Sequence, residues 1–286
     1  MTTPAPGSTE WLRYITASKV PAIVGTSPYE SRFSLWHRMA GNLPSVPQNT
    51  AMTRGNYLEP AIVAWLADQH PELHIEYPGQ RHTHPEDDWA GATPDGYAHA
   101  READAIPGLI EVKSAKWADE WAGDAVPPGY VDQCQWQMHV TGARRVYVGA
   151  LVAMDFTERL IERDQDRIDY LRMESWGFLS SLERGEPPAL DGSTHTYQAV
   201  RELHPDIDPE LVEVPTALAH QFISARQCHR AAETDWNLAR AAMADHMGSA
   251  RVATWDGLTI ATRKARNGGT PWVEPPRTLP TIGVPA

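Results

Sequence analysis

The residues best suited to chemistry are two acids and a lysine. Asp95 follows Pro94, and 16 residues later the chain reads Glu111-Val112-Lys113. Side chains two apart on a strand point to one face. A strand through Leu109–Lys113 would therefore set a carboxylate beside an ammonium. Asp95, in the turn Thr93-Pro94-Asp95-Gly96, can meet them there. Two carboxylates offer hard oxygens to Mg²⁺, which keeps several waters and shares the oxygens of a substrate phosphate. A nearby lysine can orient the attacking water, help to deprotonate it and stabilise developing charge. Such a set suits phosphodiester hydrolysis. The spacing alone is weak support, because a turn aspartate and an exposed Glu/Lys strand pair give the same pattern. The apolar Leu109-Ile110 ahead of Glu111 favours a half-buried strand, and the tight turn favours a fixed Asp95.

Two further segments add polar groups. In Arg54-Gly55-Asn56-Tyr57-Leu58-Glu59-Pro60, Glu59 is expected near a helix start, where a carboxylate is favoured by the helix dipole. It could equally be a third acid near the metals. Tyr130, Gln133 and Gln137 fall at i, i+3 and i+7 of an expected helix and so share a face. Amides do not normally line a core-facing stripe, whereas a polar cleft would use them on water, metal-bound groups or DNA phosphate. His82 and His84 form a His-x-His on one strand face. That spacing can bind zinc, but the sequence offers no third ligand, and surface strand histidines are the favoured reading.

These residues need elements to hold them. A short helix is expected over Ile15–Val24 after a Thr16 or Ser18 cap, ended by Gly25-Thr26-Ser27-Pro28. A second covers Ser34–Ala40 and a third Gly55–His70, with Leu58, Ile62, Trp65 and Leu66 on one apolar face. Strands are expected at His74–Tyr77, Trp89–Ala92, Tyr97–Ala100 and Leu109–Lys113. A helix at Tyr130–Thr141, a strand at Arg145–Met154 paired with Arg159–Arg163, and a helix at Asp164–Glu183 follow. Residues 185–216 read as an acidic Pro/Gly linker. Beyond it come a long helix over Ala217–Met247, a hairpin around Asp256-Gly257 and an irregular proline-rich tail. The fold class is α/β (α+β), with a helix-plus-hairpin extension.

Composition bounds the function. The 286 residues carry a formal net charge of −12, which argues against a generic basic nucleic-acid binder but not against an enzyme with local positive charge. The last stretch, 248–286, is the one net-basic region, with five basic and two acidic residues. It is as consistent with a DNA contact as with a charged edge that discourages strand pairing. Two cysteines exclude a disulfide framework and a Cys-rich zinc or iron–sulfur site. No apolar run is long enough to span a membrane and the N-terminus lacks signal-peptide character, so a cytoplasmic protein is expected. The 11 tryptophans are expected as core and helix-packing anchors.

Several ordered motifs resemble the YqaJ-like viral recombinase nucleases, the group that includes phage lambda exonuclease, within the PD-(D/E)XK nuclease superfamily. They are Ile15-Thr16-Ala17-Ser18; Ile23 to Tyr29 with Leu35-Trp36; Arg54-Gly55 through Glu59-Pro60; Thr93-Pro94-Asp95-Gly96; Glu111-Val112-Lys113; Tyr130-Val131-Asp132-Gln133-Cys134-Gln135; and Gly185-Glu186-Pro187-Pro188. The match spans roughly residues 12–205. The resemblance implies a restriction-endonuclease-like core with a central mixed sheet flanked by helices. It implies Mg²⁺, as two ions with Mn²⁺ able to substitute, on Asp95, Glu111 and the main-chain carbonyl of Val112. Lys113 would position or activate the water, Glu59 would sit near the second metal, Gln133 would orient the nucleophile and Tyr130 would support that face. Arg13, Ser18 and Thr93 would hold a 5′-phosphate, and Gln137 would meet DNA.

The resemblance further implies a 5′→3′ exonuclease on duplex DNA ends, phage or prophage encoded and acting in the bacterial host. It would leave 3′ single strands for a phage annealing protein and would work as a homo-oligomer, a trimeric ring by family likeness. A PD-(D/E)XK endonuclease or RecB-like nuclease, and a non-catalytic DNA-binding scaffold, are the alternatives. The intact Asp95, Glu111 and Lys113 speak against the scaffold. The expected layout is a leader at 1–11, the nuclease domain at 12–184, the linker at 185–216 and the extension at 217–286.

Overall fold

The computed structural model describes Ser8, residues 14–100, 108–116, Trp121, 123–276 and Leu279. Most of the expected leader lies outside these residues, and so does Arg13. In chain order the elements are β1 (Ile15–Thr16), α1 (Val20–Val24), α2 (Arg32–Met39), α3 (Thr50–Gln69), β2 (Leu73–Glu76), β3 (His82–Thr83), β4 (Ala90–Ala92), β5 (Gly96–Ala100), β6 (Gly108–Ala115), α4 (Pro128–Thr141), β7 (Arg145–Val152), β8 (Asp155–Glu162), α5 (Gln165–Arg184), α6 (Thr194–Leu203), α7 (Thr216–Met247), β9 (Val252–Trp255), β10 (Leu258–Lys264) and β11 (Trp272–Glu274). The chain divides into two compact units, residues 1–206 and 207–286.

The first unit is built on a mixed five-stranded sheet of order β2-β5-β6-β7-β8. Only β6 and β7 run parallel; the other neighbours are antiparallel. A parallel pair needs a long crossover, and α4 supplies it. Alternation along β6 then sorts its side chains. Ile110 and Val112 pack with Val63 and Leu66 of α3. Leu109 faces the other way with Val146, Val148 and Ala150 of β7, against Cys134 and Met138 of α4. Helix α3 lies very close to β7. A Cβ at Gly149 would stand 2.5 Å from Leu66 Cδ1 and 3.1 Å from Ile62 Cγ2.

A second apolar cluster gathers β1, α1, α2, β4 and α5 around Trp136, which is fully buried and donates its indole N–H to the Gly91 carbonyl at 3.2 Å. Trp36 and Trp121 are also buried, but Trp176, Trp236 and Trp255 are not, so the tryptophans are only in part core anchors.

Four boundaries differ from the sequence expectation. Ile15–Thr16 is not helical but pairs in parallel with Ala90–Gly91. The helix behind it is five residues long, with Pro21 in its first turn, where a missing N–H costs little, and with no side-chain cap from Thr16 or Ser18. Helix α3 begins at Thr50 because Asn49 caps it, its side chain accepting the Met52 N–H at 3.0 Å. Glu59 therefore sits mid-helix rather than at a helix start. Part of the expected linker is α6, whose Ala199, Val200 and Leu203 pack on Phe33 and Leu43. The proline-rich tail contributes β11, the third strand of a β11-β10-β9 sheet.

In the second unit the β9–β10 turn falls at Asp256-Gly257, both with positive φ, 49° and 77°. This is the two-residue hairpin geometry that Asp-Gly favours. A small cluster of Met247, Ala261 and Val273 closes this unit. Along α7, Leu218, Phe222, Ile223 and Leu238 stay exposed. No helix among the described residues is long and apolar enough to cross a membrane.

Candidate active site

Strand β6 carries the central residues of the candidate site. Glu111 and Lys113 lie on its α4-facing side, and the Lys113 ammonium donates to Glu111 Oε1. The helix then grips the same carboxylate. Gln133 Nε2 donates to Glu111 Oε1 and Gln137 Nε2 to Oε2, both at 2.6 Å. Glu111 is only 2% exposed, so three donors on its two oxygens offset the cost of burying it. The Lys113 ammonium also stands 4.9 Å over the ring of Tyr130, whose hydroxyl lies 3.2 Å from that of Tyr29. The Tyr/Gln face expected from i, i+3, i+7 spacing thus exists, and it looks at Glu111.

Asp95 joins from the turn before β5. Its Oδ2 accepts the Val112 N–H at 2.6 Å, which locks the turn to the strand between Glu111 and Lys113. Burial, and then the Glu111 charge, push the Asp95 carboxyl well above the usual carboxylate range. Burial alone would lower the Lys113 ammonium, but the Glu111 and Asp95 charges outweigh it and raise its pKa. Lys113 is therefore a fixed cation at neutral pH. Glu59, on α3, is within electrostatic reach of both Asp95 and Tyr77. Two acids thus face one ammonium, with Glu59 as a third acid in reach of Asp95. An oxygen-rich, anion-heavy and largely dry donor set of this kind fits a hard divalent cation.

The remaining polar residues of α4 anchor it. Asp132 is buried and accepts from Thr26 Oγ1 at 2.6 Å and from Arg167 at 2.7 and 2.9 Å. Gln135 bridges the Glu162 carbonyl and the Asp164 N–H. Cys134 lies buried beneath the site with its thiol pKa pushed well up by burial, so it is packing rather than a nucleophile.

Gln137 departs from its expected role. It is fully buried and its amide serves Glu111, so it stands behind the carboxylate and not at the DNA. Ser18 and Thr93 are both exposed, and they follow β1 and β4, which run parallel with Thr16 beside Gly91. His82 and His84 part company. The first bonds the Tyr97 hydroxyl at 2.6 Å, while the second meets Asp87 and His139. Asp132, Arg167, Asp87 and His139 were not singled out from sequence. Their partners come from elements far apart in the chain, which leaves no local signal.

With this geometry in hand, the chain can be set beside known proteins. Residues 10–144 match the family model of the YqaJ-like viral recombinase domain. No curated protein matches the sequence significantly. Among solved structures, the chain is similar to an alkaline exonuclease, LHK-Exo, from Laribacter hongkongensis. The two are 26% identical with a TM-score of 0.48, over 61% of this chain and 90% of that one. The same protein in complex with dAMP gives 25% identity and a TM-score of 0.49, with the same coverage. A phage-related exonuclease from Haemophilus somnus is 16% identical with a TM-score of 0.48, over 60% of this chain and 94% of that one.

Proposed function

We propose that this chain is a metal-dependent DNA exonuclease that degrades linear duplex ends 5′→3′ and leaves 3′ single strands for recombination by annealing. The observation that carries this is the dry cluster of Asp95, Glu111 and Lys113, held by Gln133, Gln137 and the Val112 N–H. The YqaJ-like domain supports it. Asp95, Glu111 and the Val112 carbonyl would hold Mg²⁺, with Glu59 beside a second ion. When bound, the metal supplies a more acidic water and charge compensation on the phosphate. Lys113, held as a cation, orients the attacking water and stabilises the developing negative charge rather than acting as a base. Gln133 and Gln137 fix the plane of the Glu111 carboxylate so that its oxygens keep their aim. Tyr130 shields the Lys113 side from water. Ser18 and Thr93, at neighbouring strand ends, would take the 5′-phosphate, with Arg13 as their cation.

Enclosure by a homo-oligomer, a trimeric ring in this proposal, would supply the grip that the net charge of −12 denies to the free surface. The test is digestion of linear duplexes with 5′-phosphate or 5′-hydroxyl ends, and of closed circles, with Mg²⁺ or Mn²⁺. The proposal expects mononucleotides from 5′-phosphorylated linear DNA and intact circles. Cut circles would show an endonuclease, and no product beyond that of Lys113→Ala would show a binding protein.

A further inference from the structure

A second polar cluster lies on the other side of α4 from Glu111. His84 and Asp87 stand in the β3–β4 connection, and His139 near the end of α4. Their donor atoms all lie within 4.8 Å of one another. Asp87 Oδ2 is 3.3 Å from His139 Nε2 and 3.6 Å from His84 Nδ1. An ion bound tetrahedrally at about 2.1 Å to nitrogen and oxygen has donors about 3.4 Å apart. Those two separations straddle that value. The imidazole rings stack, with centroids 4.3 Å apart and planes 19° apart.

His139 supplies an independent indication. It is 8% exposed, and its buried Nε2 has the Asp87 carboxylate 3.3 Å away but outside hydrogen-bond geometry. An unpaired buried polar atom costs on the order of 1–3 kcal/mol, and a bound metal would satisfy this one. Burial lowers the His139 pKa to about 4, which keeps the ring in the neutral form that ligates metals. Asp87 also accepts from Arg172, Nε to Oδ2 at 2.6 Å and Nη2 to Oδ1 at 2.8 Å. The Arg172 side chain is half exposed. The Oδ1 bond can therefore persist while Oδ2 turns to a metal. A bound ion would also replace the Glu86 and Asp87 N–H groups that His84 Nδ1 accepts at 3.3 and 3.0 Å. A groove lined in part by Glu86, Asp88 and Asp169 opens beside the cluster, giving an acidic approach and room for a water ligand.

We infer that His84, Asp87 and His139 form a second metal site, for a zinc-class transition ion, which clips the β3–β4 connection to α4. Two imidazoles and one carboxylate select such an ion over Mg²⁺, which prefers oxygen alone. The site is independent of the nuclease proposal. Its test uses the full chain carrying Asp95→Asn and Glu111→Gln, so that the carboxylate site is disabled, dialysed against Zn²⁺ in excess Mg²⁺. One zinc per chain is expected by elemental analysis, with affinity about tenfold or more weaker after His84→Ala. Co²⁺ should give the strong visible absorption of a four-coordinate site in the parent and not in His84→Ala. Zinc should raise the Tm of the parent alone. His84 is the discriminating position, because it is partly exposed while His139 is packed in the core. Retention of no zinc, or equal zinc with and without His84, would overturn the inference.

Discussion

The two polar clusters that flank α4 solve opposite problems. Around Glu111, two acids face one ammonium, and Glu59 stands within electrostatic reach of Asp95. Around Asp87, one acid already meets Arg172, and His139 is held neutral. The first cluster is therefore unfinished as a protein structure and asks for a divalent cation of high charge. The second is nearly balanced and asks only that one buried nitrogen be satisfied. Local charge balance thus separates the two clusters, even though both rest on the same helix.

That contrast is best broken at its anionic side. Glu111→Gln keeps the shape and removes the charge, so nucleotide release from linear duplex should fall by about three orders of magnitude or more. Near-normal release would mean that the anion excess is not catalytic. Lys113→Ala should cost roughly a hundredfold. If instead it raised metal affinity while leaving turnover intact, Lys113 would be only a counter-charge. Gln137→Leu touches neither substrate nor metal, and should lower turnover about tenfold through a loosened Glu111. A change confined to KM would place it at the DNA after all.

Stability tests refine the comparison further. Lys19 is buried and donates to the Tyr14 carbonyl at 2.7 Å. Burial, outweighing the Glu30 charge, lowers its pKa from 10.5 to about 7. Between those values the unfolded chain holds more protons than the folded one, so stability should rise as pH climbs through that window. Urea titrations at either end should show the slope, and Lys19→Met should flatten it. The smallest effect is expected at the balanced cluster. His84→Ala should leave Mg²⁺-driven hydrolysis within about twofold of the parent, since a ligand outside the reacting set has no transition-state charge to stabilise. A large loss would tie the two clusters together.

Much of the carboxylate site was legible in the sequence because it obeys local periodicities. Glu111 and Lys113 share a face through strand alternation, and Gln133 and Gln137 through helical repeat, so both pairs converge once β6 and α4 are adjacent. Glu59 was less legible, since the helix starts at Thr50 behind its Asn49 cap and not at Gly55. Gln137 was misjudged because a buried amide is expected only where an ion-like partner awaits it, and that partner sits 26 residues earlier on another element. The helix at Thr194–Leu203 was hidden by its Pro- and Asp-rich flanks. His139 could not be joined to His84 at all, because nothing local links the end of α4 to the β3–β4 connection.

Gly149 has a consequence that reaches beyond packing. Having no side chain, it lets α3 ride directly on the sheet at Leu66 and Ile62. Glu59 belongs to that helix, two turns before Leu66, whereas Asp95 and Glu111 belong to the sheet side. The gap between the third acid and the other two is thus gauged by a shim of zero thickness, at a strand position that meets no substrate. Inserting one methyl group there would act as a spacer. It would part the acids of the site without altering any of them.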